Sequence, residues 1–191
     1  MQHVRIVEKD TDGKTDKSEF RSEVWIKEGK IRQETKAEGY TYILFFYEGY
    51  FYTYYSNKDT VNRYADRKYF NESGAQMREK FLGTKVRADA KPVAEGVIEG
   101  MKCRVYEYGT VMIERMASGA EKKDSASARE WRRTADGVLV KLEKVNEKES
   151  VSAATKDVPA MKSRTTEKVT VKNENIETNI DIPDIMFKIP D

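Results

Sequence analysis

Residues able to do chemistry are few in this chain, and they stand far apart. His3 is the only histidine and Cys103 the only cysteine. A thiolate–imidazole pair would need the chain to fold back over the whole stretch between them, and no third group is spaced to orient the ring. A zinc site needs three or four Cys, His or carboxylate ligands, so one thiol and one imidazole make no metal site expected. His3 sits near the start of the chain, where poor order is the expectation. Cys103 lies beside Val105 in a strand-like stretch, and no neighbour in sequence would lower its pKa, so it reads as a buried, inert thiol. Glu147 and Glu149 lie in a charge-rich stretch and read as solvated surface. Glycines are spread among turns, with no phosphate-cradling loop. No catalytic residue, no cofactor and no enzymatic activity is expected. The sharpest polar feature is Arg129-Glu130-Trp131-Arg132-Arg133. Arg129, Trp131 and Arg133 alternate along a strand and suit contact with anionic lipid headgroups or an acidic partner. The blander alternative is a strand with its arginines in water.

The apolar counterpart is Tyr40–Tyr55, YTYILFFYEGYFYTYY. Glu48-Gly49 divides two runs of aromatic and aliphatic residues, the signature of a two-residue hairpin turn. That turn pairs Tyr47 with Tyr50, Phe45 with Tyr52 and Ile43 with Tyr54, so these six share one face. Tyr42, Leu44, Phe46, Phe51, Thr53 and Tyr55 form the other. Neither face is polar, so both must be covered, by helices, by more sheet or by an apolar ligand. Packing explains aromatics in general, but so many tyrosines suggest a rim or a wet cavity where each hydroxyl finds a partner. Ile43, Phe45, Tyr47, Tyr50, Tyr52 and Tyr54, with Tyr64, Met77 and Phe81 from the following segment, are the candidates to line a ligand cavity. The tyrosine-rich face is assigned to the cavity side.

The elements that would position these residues are mostly hairpins. Glu28-Gly29 joins Val24–Lys27 to Lys30–Gln33, Glu99-Gly100 joins Val93–Ile98 to Met101–Tyr108, and Tyr108-Gly109 is a further turn signal before Val111–Arg115. Asp136-Gly137 joins Glu130–Ala135 to Val138–Val145, placing Trp131 opposite Leu142 and Arg133 opposite Val140. Between the early and late hairpins the period changes. Val61, Tyr64, Ala65, Lys68 and Tyr69 follow helical spacing, and Ser73 with Gln76 has capping-box spacing ahead of Met77, Phe81 and Leu82. Two short helices are expected at 59–70 and 74–82. Ala117–Arg129 has no apolar stripe and reads as a mobile loop or exposed helix. Asn146–Lys168 reads as a long excursion or a weak edge strand.

Composition narrows the classes further. The 191 residues suit one domain, with 1–19 open as a loosely ordered N-terminal extension. Lys+Arg 35 and Asp+Glu 33 nearly cancel to +2, which argues against a nucleic-acid binder. Mean hydropathy of −0.79, with no apolar run of about 20 residues, argues against a membrane-spanning helix. One cysteine excludes an internal disulfide framework. The start MQHVRIVEKD has no apolar core of a signal peptide, so the chain is either cytoplasmic or begins after a removed signal.

Taken in order, these segments resemble a known family. Gly100-Met101-Lys102-Cys103-Arg104-Val105-Tyr106, the hairpin from Trp131 through Gly137 to Lys141, and the tail Ile182-Pro183 … Phe187 … Ile189-Pro190 are similar to strands and turns of LolA-like proteins. These are bacterial periplasmic lipoprotein carriers and outer-membrane lipoprotein-sorting proteins. Val140 follows the place usually held by proline in the second motif. The resemblance covers about residues 20–191 and implies a single LolA-like domain, mainly antiparallel β (α+β). Its architecture would be a strongly curved, unclosed β-barrel with two or three helices on the concave face. It also implies export to the periplasm or outer membrane, and transport of an acyl chain, lipid or lipoprotein in an apolar cavity between sheet and helices. An envelope protein partner is open, and no nucleic acid is expected. The alternative is a structural or signalling interaction module on the same fold with no cargo.

Overall fold

The computed structural model describes all residues except 28–29, 48–49, 59, 66–75, 77–78, 80, 117, 154–158, 178–180 and 189–191. Hairpins generate most of it. Six strands come first: β1 (Gln2–Thr11), β2 (Lys14–Lys27), β3 (Lys30–Ala37), β4 (Tyr40–Tyr47), β5 (Tyr50–Tyr55) and β6 (Thr60–Ala65). Five follow: β7 (Lys91–Ile98), β8 (Met101–Arg115), β9 (Glu121–Arg133), β10 (Leu139–Val151) and β11 (Lys162–Glu174). All belong to one antiparallel, unclosed sheet in the order β6-β5-β4-β3-β2-β1-β11-β10-β9-β8-β7. Two meanders are thus fused where β1 pairs with β11, and the first and last strands become the centre of the sheet. The stretch 1–19, open from its sequence as an extension, is built into β1 and β2.

The turn chemistry accounts for the expected registers. Lys27 pairs with Lys30 and Tyr47 with Tyr50, as a two-residue connection requires. In the β7–β8 turn both central residues are left-handed, Glu99 at φ 50 and Gly100 at φ 79, the combination whose twist matches the flanking strands.

Five expectations are corrected. Residues 60–65 are not helical; they form β6, which pairs Tyr64 with Phe51 and Val61 with Tyr54. The apolar spacing fits a helix, but β5 needs a ladder partner, and the β-branched and aromatic residues of TVNRYA suit that place. The stretch 117–129 is largely β9, and 146–168 holds the end of β10 and the start of β11. Their side chains are mostly exposed or half-buried, so no apolar period marks them, and ladders on both sides hold them in place. Tyr108-Gly109 does not turn, because β8 runs through it. Trp131 lies opposite Lys141 and not Leu142, because the register shifts between Leu139 and Lys141.

Two or three helices on one face are not seen among the described residues. Gln76, Glu79, Phe81 and Leu82 have helical backbone, and the Gly83 N–H donates to the Glu79 carbonyl at 2.6 Å. The rest of 66–80, Met77 included, lies outside the described residues. A 3₁₀ turn at Asp184–Phe187 follows the extended Ile182-Pro183 step.

Candidate binding faces of the sheet

The strand registers sort the candidate residues onto two faces. Ile43, Phe45 and Tyr47 on β4 lie opposite Tyr54, Tyr52 and Tyr50 on β5, so the six share one face as their spacing requires. Tyr64 lies opposite Phe51 and therefore belongs to the other face, where Phe81 also packs. The nine cavity candidates do not meet in one place.

On the Phe51 face the core is dry. Val24, Ile31, Leu44, Phe51 and Phe81 form one buried cluster, ringed by Met1, Ile26, Tyr42, Phe46 and Tyr64. Phe51 is 0% exposed and Phe81 2%. Four of the five come from adjacent strands; Phe81 comes from the connection between β6 and β7. Those strands are the two outer edges of the sheet, so the connection must lead from one edge to the other. Its described part crosses the face step by step. Phe81 stands edge-on to His3 of β1 at 5.2 Å, Gly83 lies against Leu139 of β10, and Arg87 lies over Tyr108 of β8 at 4.5 Å. At Gly83 a Cβ would come within 2.6 Å of the Leu139 Cβ, and the backbone is left-handed at φ 54, so glycine is required twice over.

Polar side chains of the sheet tether this crossing. Asn173, 1% exposed on β11, donates from Nδ2 to the carbonyls of Phe81 (2.9 Å) and Leu139 (2.8 Å). Its Oδ1 is thereby the acceptor for His3 Nδ1 at 2.8 Å, which fixes the proton on that nitrogen. Contrary to the expectation of disorder, His3 is buried in the central strand β1. On β9, Arg132 donates to the Lys85 carbonyl at 2.7 Å and is itself paired with Glu130, both nearly fully buried. Tyr108 donates to Glu130 at 2.8 Å; burial first, and then Glu130, pushes the Tyr108 pKa up to about 12. Glu130 and Arg132 were passed over as the in-between members of an arginine-rich strand. Their signal was their alternation with Trp131, which puts them on the opposite, covered face.

The tyrosine-rich face is covered by cations and by the C-terminal tail. Arg32 lies over Phe45 (5.1 Å) and Trp25 (5.5 Å), Lys30 over Tyr47 (5.2 Å), and Arg63 over Tyr50 (3.7 Å). Arg32 also donates to the Met186 carbonyl at 3.1 Å, and Lys27 to the Ile182 carbonyl at 2.8 Å. Ile43 and Phe45 are buried there, while Tyr47, Tyr50, Tyr52 and Tyr54 are half-buried.

Arg129, Trp131 and Arg133 share the same face further along the sheet. Arg129 is exposed but bonded to Glu107 through Nε at 2.6 Å, and its guanidinium lies 5.9 Å from the Trp131 ring. Lys141 covers that ring at 4.7 Å. Arg133 is held by Asp136 through two bonds and by the Ile176 carbonyl at 3.2 Å. The paired guanidinium keeps the Asp136 carboxyl below its usual range. An open hollow of about 690 Å³ beside Arg129 is lined by Asp89, Lys91, Glu107 and Glu143 together with Val93 and Val145. Cys103 is buried, and burial pushes its thiol pKa up. Among the described residues no group of three or more His, Cys, Asp or Glu is placed to hold a metal, and no helix is long and apolar enough to cross a membrane.

No family model and no curated protein matches the chain. Solved structures similar to it include two crystal structures. One is a LolA superfamily protein from Nitrosomonas europaea, at 11% identity and TM-score 0.33, covering 98% of this chain and 89% of that one. The other is a DUF1329 family protein from Desulfovibrio piger, at 13% identity and TM-score 0.30, with the same coverage of 98% and 89%. At these TM-scores the likeness says nothing of what the chain binds.

Proposed function

We propose that the chain is a non-enzymatic binding protein of the bacterial cell envelope, which carries an acyl chain, lipid or lipoprotein on the β2–β5 face, in the seat that Phe81 fills. The observation that supports this reading is the seat of Phe81. A side chain from a connection, not from the sheet, fills the apolar floor made by Val24, Ile31, Leu44 and Phe51. The described part of the connection beside it is tethered through its carbonyls by Asn173 and Arg132. A ring delivered in this way can be exchanged for an acyl chain, at about 0.8 kcal/mol per buried CH₂ and without polar recognition. Burial of that kind is unselective, which suits a carrier that must release its load.

The test is titration of the full chain with a fluorescent fatty acid, alongside mass spectrometry of lipid that co-purifies. Saturable binding is expected. Phe81→Ala should tighten it at least tenfold, since the ring no longer competes and a phenyl's burial is worth roughly 1.5–3 kcal/mol. Absence of binding by both forms, for fatty acid, phospholipid and acylated peptide alike, would overturn the proposal. That outcome favours the second reading, an interaction module with no cargo, which the dryness of the same cluster supports.

A further inference from the structure

The central strands are longer than their outer neighbours, so at one end of the sheet two of them run on with an outer edge that no described strand covers. β3 pairs with β2 only over Ser22–Lys27, leaving the outer edge of Lys14–Arg21 open. β7 pairs with β8 only as far as Glu107, leaving Tyr108–Arg115 open. An open edge is a template for another strand, and proteins usually guard it with charge. Lys14–Arg21, KTDKSEFR, is guarded in this way, with charge at five of its eight positions. Gly109–Ile113, GTVMI, carries none, and Val111, Met112 and Ile113 are 65%, 64% and 52% exposed.

We propose that this edge pairs with the same edge of a second copy of the chain, antiparallel and with the two-fold axis at Met112. Symmetry narrows the register. Two copies of one strand joined antiparallel keep the same face up, so the axis must pass through a residue. An axis at Val111 would set Arg115 of the second copy against Glu107, where Lys91 of β7 already pairs. An axis at Ile113 shortens the ladder. The axis at Met112 uses Gly109–Arg115 in full. It sets Val111 beside Ile113 of the second copy on one face and Met112 beside Met112 on the other. Glu114 then faces Thr110 and Arg115 faces Gly109, so no like charges meet. Because each copy offers the same edge, the contact closes at a dimer and the charged β2 edges stay outermost. The ladder is short, so the dimer is a weak one that forms with rising concentration.

Sedimentation velocity of the full chain over a concentration series tests this. A monomer–dimer equilibrium is expected, and Met112→Lys, which sets two ammonium groups against each other at the axis, should raise the dissociation constant at least tenfold. Met112 is well exposed, so the monomer should keep its circular dichroism and melting temperature. In a Cys103→Ser background, Met112→Cys should oxidise to a covalent dimer, and Thr15→Cys on the guarded edge should not. A monomer at every concentration, a dimer indifferent to Met112→Lys, or assemblies that grow past the dimer would each overturn the proposal.

Discussion

On one face of the β4–β5 hairpin Phe51 is fully buried among Val24, Ile31, Leu44 and Phe81. On the other, Phe45 is almost as buried, yet the Arg32 guanidinium lies over its ring, and Arg32 in turn bonds the tail at Met186. The two faces are alike in apolarity and unlike in what meets them. Aliphatic and aromatic atoms interlock on the first, where a missing group leaves a void. Long cationic stems lie along the second with their heads over rings, an arrangement that covers apolar area and still tolerates water nearby. The tyrosines are split between the two: Tyr42 and Tyr64 pack at the margin of the Phe51 cluster. Tyr47, Tyr50, Tyr52 and Tyr54 line the cation-covered face, where half-burial leaves phenol groups within reach of polar partners.

If the division is real, equal truncations must differ in cost. Phe51→Ala should destabilise the chain by about 3–5 kcal/mol, because its neighbours come from four elements and cannot close together. At roughly 2–4 °C per kcal/mol for a chain of this size, the melting temperature should fall by about 10 °C. Phe45→Ala should cost about 1–2 kcal/mol less, since the long Arg32 stem can settle into the space. Equal losses for the two variants, measured by denaturant unfolding, would erase the distinction.

The dry face should also show itself in alkali. Burial first, then Tyr55 and Tyr64, pushes the Tyr42 pKa up to about 12. The folded chain holds this proton more tightly than the unfolded chain, whose tyrosines titrate near 10. The contribution is therefore complete below pH of about 10 and is lost as pH rises toward about 12. Tyr42→Phe should flatten that part of the pH–stability profile and leave the share due to Tyr108. An unchanged profile would place Tyr42 in a wetter setting than the Phe51 cluster allows.

How far the sequence could be read follows the same physics. The β4–β5 register was legible because a turn signal and a run of large apolar residues fix one pairing locally. The centre of the sheet was not. His3 and Asn173 are 170 positions apart, and nothing local shows that the two ends of the chain pair. The alternation of Val169 and Val171 was the available hint of a covered strand. β6 was misread because the spacing of Val61 and Tyr64 fits either period, and only the need of β5 for a partner decides. The shift between Leu139 and Lys141 was invisible, since one inserted residue changes a register without changing composition. Among candidate site residues, the six on the tyrosine-rich face were found together. The tethers Asn173, Glu130 and Arg132 were missed because each looks like surface until the connection from β6 to β7 is laid over it.

The smallest expected effect gives the sharpest comparison. Arg63 stands 3.7 Å from the Tyr50 ring and 5.9 Å from that of Tyr52, but its own side chain is exposed on the edge strand β6. An exposed cation–π contact contributes about 0.5–1 kcal/mol, since water competes for the guanidinium. Arg63→Ala should therefore lower the unfolding free energy by no more than about 1 kcal/mol. Arg63→Lys should recover part of the loss, because the charge stays while the flat stacking surface goes. Added salt should change either result little, as Arg63 has no carboxylate partner among the described residues. If Arg63→Ala instead cost as much as Phe51→Ala, the cations would be structural members of a second dry core and not a replaceable cover.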